Sequence, residues 1–296
     1  MTAQNWKELG KFISIYNNDI FVIDKGNSKE TIVILNGFPT STYDYHKIID
    51  ELTENYRVII HDHLGFGFSA RPKGLQYSII DQADIALRLW SELGLKEVTI
   101  LAQDSGNSVA KEILARKNNN LTPIKINEII LTSSGKRLEH IQMSNISIIL
   151  NNNKIGQYIS ILKNKGLKKI ENLYTTDKQE LEIDQDDLNE EFNHDAEVRK
   201  IQITSNYIKD SYVYFHRWTE GLKDSKIPIR IYWQKSDPIS MKEIAIVLAS
   251  EKINKNIEWI ENSSHFSIIE SPKSWLHLVF DHNGSNNKRS KYAAFF

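Results

Sequence analysis

The sequence predicts an α/β fold, a mostly parallel, doubly wound sheet with a helical segment inserted late in the chain. Three features carry this expectation. Short apolar runs of the kind that fill buried strands alternate with stretches of helical spacing. One such run, 98–101 (VTIL), passes through a turn of small residues directly into helical spacing. Between 134 and 226 the alternation stops, and a detour of about 90 residues is too long for a plain loop.

Taken in order, residues 12–16 and 20–24 flank Asn17-Asn18-Asp19, a hairpin signal. Thr31–Leu35 (TIVIL) reads as a buried strand running into Asn36-Gly37-Phe38-Pro39. Residues 43–52 have helical spacing. Arg57–His61 is the next strand, ending in Asp62-His63-Leu64-Gly65-Phe66-Gly67-Phe68-Ser69. Residues 78–93 form an amphipathic helix, with Ile79, Ala83, Ala86, Leu87, Trp90 and Leu93 on one side. The 98–101 strand follows, then helical spacing over 108–113. Residues 128–132, 229–233 and Ile257–Ile260 complete the strands.

This order divides the chain into a core of 1–133 with 227–281 and a helical cap of 134–226, set over the carboxyl edge of the sheet where open α/β folds bind ligands. Asn-Asn-Asn at 118–120 and 151–153 marks loops, and the acidic run 180–191 reads as a solvated helix face. The tail, 282–296, is polar and then abruptly apolar, which suits a disordered end.

At 296 residues the chain can bury a sizeable core. A formal charge of −1 gives no electrostatic reason to expect nucleic acid or an anionic membrane as partner. With no cysteine, disulfides and thiolate metal sites are excluded, and a reducing, cytoplasmic setting is expected. The first residues lack a basic-then-apolar leader, and no apolar run approaches the roughly 20 residues that cross a bilayer.

The chemistry centres on Ala102-Gln103-Asp104-Ser105-Gly106, where small residues flank a candidate nucleophile two places to either side. This is the pattern of a nucleophile elbow, a sharp strand-to-helix turn that lifts one side chain above the sheet. Asp104 belongs at its apex. A nucleophilic Ser105 would put Gln103 and Asn107 at the tight positions, and Ser108 leaves a gap that loses the sharp turn. Asp104 can also be read as a simple helix cap. Its partners favour the first reading: Asp237 follows the strand at 229–233, and His265 lies in the loop after Ile257–Ile260. Nucleophile, acid and histidine thus occur in the chain order of a doubly wound hydrolase.

With these residues in place, the chain resembles the α/β-hydrolase fold superfamily, in its aspartate-nucleophile branch of epoxide hydrolases and haloalkane dehalogenases. Its loops are similar to those of the group around the mesoderm-specific transcript protein. The resemblance rests on Asn36-Gly37-Phe38-Pro39-Thr40-Ser41-Thr42-Tyr43-Asp44, on Leu64-Gly65-Phe66-Gly67-Phe68-Ser69, on the elbow, on His216-Arg217-Trp218 and on Ser264-His265-Phe266 through Glu270-Ser271-Pro272. It covers most of 10–280 and is weakest through the cap. It implies that Asp104 forms an alkyl ester with a small organic substrate. His265, oriented by Asp237, then activates the water that cleaves the ester. The main-chain N–H groups of Phe38 and Ser105 hold the oxyanion. It implies no metal and no organic cofactor, and a monomer or homodimer acting on a small molecule.

The departures from that pattern are specific. Haloalkane dehalogenases carry a tryptophan after the nucleophile and an asparagine after the loop glycine, where this chain has Ser105 and Phe38. Fluoroacetate dehalogenases place an arginine at Ser105. Epoxide hydrolases use cap tyrosines, one in an Asn-Trp-Tyr-Arg-like run. This chain has Asn206-Tyr207-Ile208-Lys209, with the tyrosine one place early, a turn of about 100° on a helix. Tyr207, Tyr212 and Tyr214 are the candidate donors, with Trp218 at the cap's end. Asn36 stands where the loop commonly has histidine and is a further candidate for substrate binding. Three functions remain open: a hydrolase of the aspartate type, epoxide-hydrolase-like or dehalogenase-like; a serine esterase or lactonase using Ser105 or Ser108; and a non-catalytic homologue.

Overall fold

The computed structural model describes residues 1–37, 41–73, 77–134, 203, 206, 207, 209–235, 246, 257–260 and 267–280. Phe38, Asp237, His265, the acidic run 180–191, most of the cap and the tail 282–296 lie outside the described residues.

An eight-stranded sheet organises these residues, in the order β1-β2-β4-β3-β5-β6-β7-β8. The strands are β1 (Lys11–Ile15), β2 (Asn18–Lys25), β3 (Thr31–Leu35), β4 (Arg57–His61), β5 (Glu97–Asp104), β6 (Lys125–Ser134), β7 (Ile229–Gln234) and β8 (Ile257–Ile260). The β1–β2 hairpin is antiparallel, turning through Tyr16 and Asn17 at positive φ, and β2 runs antiparallel to β4. All other pairings are parallel. The loops after β3, β4, β5, β7 and β8 therefore leave from one edge.

Alternate side chains along each central strand enter two separate apolar layers, as the period of two requires. Val33, Leu35, Ile59, Ile100, Ala102 and Leu131 face helices α3 (Ile79–Glu92) and α4 (Ser105–Asn118). Ile32, Ile34, Val58, Ile60, Leu101 and Ile130 face α1 (Ala3–Leu9), α2 (Ile49–Thr53) and the carboxyl-terminal helices. The two layers make the sheet doubly wound, as expected from the alternation. Burial on both faces is why these strands read as unbroken apolar runs.

Helix α3 starts at a reciprocal capping box, in which Ser78 takes the Asp81 N–H and Asp81 takes the Ser78 N–H. The expected helix over 43–52 is instead a 3₁₀ turn, Thr42–Tyr45, followed by the short α2. Its bonds run three residues back, His46 to Tyr43 and Ile48 to Tyr45, because the Asp62 carboxylate holds the Thr42 N–H at 2.7 Å and fixes the entry. The amino-terminal helix α1 was not evident from spacing. It is capped by Thr2 and buries Trp6, whose indole donates to Thr42 Oγ1.

After β6 the chain returns through helical residues at 203, 206, 207 and 209–213 and then through α5 (Phe215–Lys223). Helices α6 (Ser267–Glu270) and α7 (Pro272–Phe280) close the described chain, with Trp275 buried against Tyr45. Among the described residues no helix is long and apolar enough to cross a membrane.

Candidate active site

The elbow is sharper than its sequence suggests. Strand β5 runs through Asp104 and α4 begins at Ser105, so a single residue makes the whole turn, at φ 46° and ψ −116°. A side chain held in that region costs on the order of 1–3 kcal/mol and persists only where its surroundings enforce it. Here they do. A Cβ at Gly106 would lie 2.1 Å from the Leu35 carbonyl oxygen, so helix and strand backbones touch. A Cβ at Gly37 would lie 2.8 Å from the Asp104 Cβ, so the loop after β3 presses on the apex itself. The Asp104 side chain accepts no capping hydrogen bond from α4, which removes the helix-cap reading.

Ser105, the first residue of α4, buries its Oγ without a hydrogen-bond partner among the described residues. Asn36 is fully buried at the end of β3, and its amide donates to the Gly37 carbonyl at 3.2 Å. Asp237 and His265 lie outside the described residues. The last strand residues before them, Gln234 on β7 and Ile260 on β8, end parallel neighbouring strands at the same edge as Asp104.

Of the candidate tyrosines, Tyr207 is buried, Tyr214 is half-buried and Tyr212 is 73% exposed, turned to solvent. Burial raises the Tyr207 pKa, and the nearby Asp104 charge raises it further, while the amide of Gln82 offsets part of the shift. The phenol therefore stays protonated and lies within the field of the Asp104 carboxylate. Gln82 is itself fixed, because its side chain takes the Leu64 N–H at 3.0 Å and donates to the Leu64 carbonyl at 2.9 Å. Phe66, from the loop after β4, stacks on Tyr207 with ring centroids 6.4 Å apart.

Trp218 has a different place. Its indole donates to Glu112 Oε2 at 2.9 Å, and Arg217 donates to Glu112 Oε1 at 2.7 Å. Arg116 completes the cluster around this buried carboxylate at 2.8 Å. Glu112 lies eight residues into α4 from the elbow, about 12 Å along its axis. The His216-Arg217-Trp218 motif thus fastens α5 to α4.

Two histidines escaped the sequence reading. His61 and His63 are buried, their rings 5.1 Å apart and nearly perpendicular, with His63 against Phe66. None of their ring nitrogens has a hydrogen-bond partner among the described residues. Burial lowers both pKa values, that of His63 to about 4, with the Asn36 main chain offsetting part of its shift. Both imidazoles are neutral at pH 7. The signal was the unusual His-Asp-His run at the end of β4.

The alpha/beta hydrolase fold family model matches residues 30–272. The chain belongs to the α/β-hydrolase fold family. Within this family it is 30% identical over 287 residues to the mesoderm-specific transcript protein of Mus musculus, covering 92% of this chain and 85% of that one. It is 31% identical over 98 residues to haloalkane dehalogenase 2 of Mycobacterium bovis, covering 33% and 34% of the two chains. Among solved structures, haloalkane dehalogenase DbeA of Bradyrhizobium elkani superposes with a TM-score of 0.76 at 16% identity, over 91% of this chain and 95% of that one.

Proposed function

We propose that this α/β-hydrolase is a cofactor-free enzyme that opens a small organic epoxide through an aspartyl ester. The observation that carries the reading is the pairing of a strained apical Asp104 with a buried, protonated Tyr207 in its field. In the first step an Asp104 oxygen attacks an epoxide carbon. The carbon–oxygen bond of the ring breaks, and the departing oxygen takes its proton from the Tyr207 hydroxyl. In the second step His265, oriented by Asp237, removes a proton from water as the water attacks the Asp104 carbonyl carbon. The oxyanion is held by the N–H groups of Phe38 and Ser105; as it collapses, the leaving oxygen takes the His265 proton to release the diol, and the second proton of the water returns to Tyr207, leaving Asp104 ionised. A carboxylate suits this substrate and suits carboxylic esters poorly, since attack on an ester would give an anhydride.

A dehalogenase-like reaction is the second reading, favoured by the match to haloalkane dehalogenase 2. It requires a halide to be held where Ser105 and Phe38 stand. A single turnover in ¹⁸O water separates the outcomes when a panel of epoxides and haloalkanes is offered. The proposal expects ¹⁸O in the Asp104 carboxylate, a diol product carrying unlabelled oxygen, and no turnover by Asp104→Ala. Halide release without epoxide opening would move the assignment to dehalogenation. Label entering product directly would overturn the aspartyl ester, and covalent capture of Ser105 or Ser108 by a fluorophosphonate would establish the esterase alternative.

A further inference from the structure

The chain that carries Tyr207 is tied to α3 by a long-range bond. The main-chain N–H of Ile79 donates to Asp210 Oδ2 at 2.7 Å, in a buried contact between residues 131 positions apart. Ile79 is the first residue of α3, and its N–H is one of the four that a helix cannot satisfy internally. The capping box uses the N–H groups of Ser78 and Asp81 and leaves that of Ile79. A carboxylate at this point gains from the helix dipole as well as from a charge-assisted bond. Asp210 is held there although Asp81 and Glu112 oppose its charge, which the Ile79 N–H and Lys209 favour.

Tyr207 and Asp210 are three positions apart in helical chain, so they share a face. On α3 the same spacing separates Ile79 from Gln82, which holds the Leu64 main chain in the loop that carries Phe66, the ring stacked on Tyr207. The first turn of α3 thus holds Asp210 directly and the Phe66 loop through Gln82. Phe66 stacks on the Tyr207 ring, and the Asp210 bond adds a second fixed point three residues further on.

We propose that Asp210 is a positioning residue, a latch on the first turn of α3 that sets the rotation of the returning helical residues and so holds Tyr207 buried against Phe66, in the place the epoxide-opening reading requires. The inference deepens the epoxide-opening reading and rests on it for its catalytic consequence, while the latch itself is testable without turnover.

Tyrosine nitration of the intact full-length protein by tetranitromethane, read by peptide mapping, provides the test, with exposed Tyr212 as internal reference. In the wild type, Tyr207 should react at least about tenfold more slowly than Tyr212. Asp210→Ala should bring the two within about threefold, and Asp210→Asn, which keeps an acceptor oxygen, should restore most of the protection. Protection unchanged in Asp210→Ala, or lost equally in Ala and Asn, overturns the latch. If Asp210→Ala fails to fold by circular dichroism, Ile79→Pro removes the donor at a helix position that tolerates proline. The same exposure of Tyr207 is expected, and its absence overturns the proposal. On an epoxide that the wild type turns over, Asp210→Ala should lower kcat about tenfold or more with KM changed less, and Asn should rescue it. If the wild type opens no epoxide, the functional reading fails and nitration still decides the latch.

Discussion

Asp62 and Asp104 stand at the same edge of the sheet, on either side of the loop that follows β3, and they are built on opposite plans. Asp62 is fully buried. Its carboxylate takes the N–H of Thr42 at 2.7 Å and of Phe68 at 2.8 Å, and its carbonyl takes the Ser69 hydroxyl at 2.6 Å. It is the knot of its loop, and Gly67 packs so tightly on it that a Cβ there would lie 2.1 Å from Oδ2. Asp104 has a strained backbone, caps nothing in its helix, and is held by the pressure of Gly37 and Gly106. An aspartate at a strand end becomes structural when main-chain donors converge on its oxygens. It becomes a candidate for chemistry when the fold constrains its backbone and leaves its carboxylate out of the helix cap.

Four measurements break or sharpen that contrast. The largest effect belongs to the elbow's support. Gly106→Ala, which in an ordinary helix interior would stabilise by about 1 kcal/mol, should here cost more than about 4 kcal/mol in urea unfolding, because the new methyl meets the β3 main chain. Next, Asp62→Ala should cost about 3–4 kcal/mol, since it strands two buried N–H groups; a loss under about 1 kcal/mol would dissolve the distinction between the two aspartates. Third comes pH. His63 binds its proton less readily in the fold than in the unfolded chain, so its neutral form is the native one. Stability is complete above about pH 6.5 and falls as pH drops towards about 4, by roughly 3 kcal/mol. His63→Phe should flatten that part of the stability–pH curve, and an unchanged slope would mean that the ring is not shielded from water. The smallest effect has the opposite sign: Asp104→Gly, at a backbone geometry glycine adopts freely, should raise stability by about 1 kcal/mol while removing all turnover.

Legibility in the sequence follows the range of the forces involved. β3 and β8 coincide with the apolar runs read for them, and β4 with its own, because burial on both faces leaves an uninterrupted signal. The extent of α3 was visible in the apolar spacing over 78–93, which is local. The elbow was visible too, although its strand is longer and its turn shorter than the residues suggested. The 3₁₀ break at Thr42–Tyr45 was hidden because its cause, Asp62, comes from the next strand's loop. Asp210 and Glu112 were hidden for the same reason, their partners lying 131 and 106 residues away. Tyr212 and Trp218 show the limit of motif reading: both sit where the pattern expects a functional residue, yet one faces water and the other joins two helices.

Strands β6 and β7 are hydrogen-bonded neighbours in parallel register, with Ile129 opposite Ile229, and Glu128 and Arg230 clasped across them at 2.7 and 2.9 Å. Everything the chain does between them starts and finishes at one seam of the sheet, about one strand spacing wide. An excursion with its two ends side by side adds no tension to the scaffold, whatever its length. The chain between these two strands can therefore be rewritten by evolution, or exchanged at the bench, while the sheet and Asp104 keep their place.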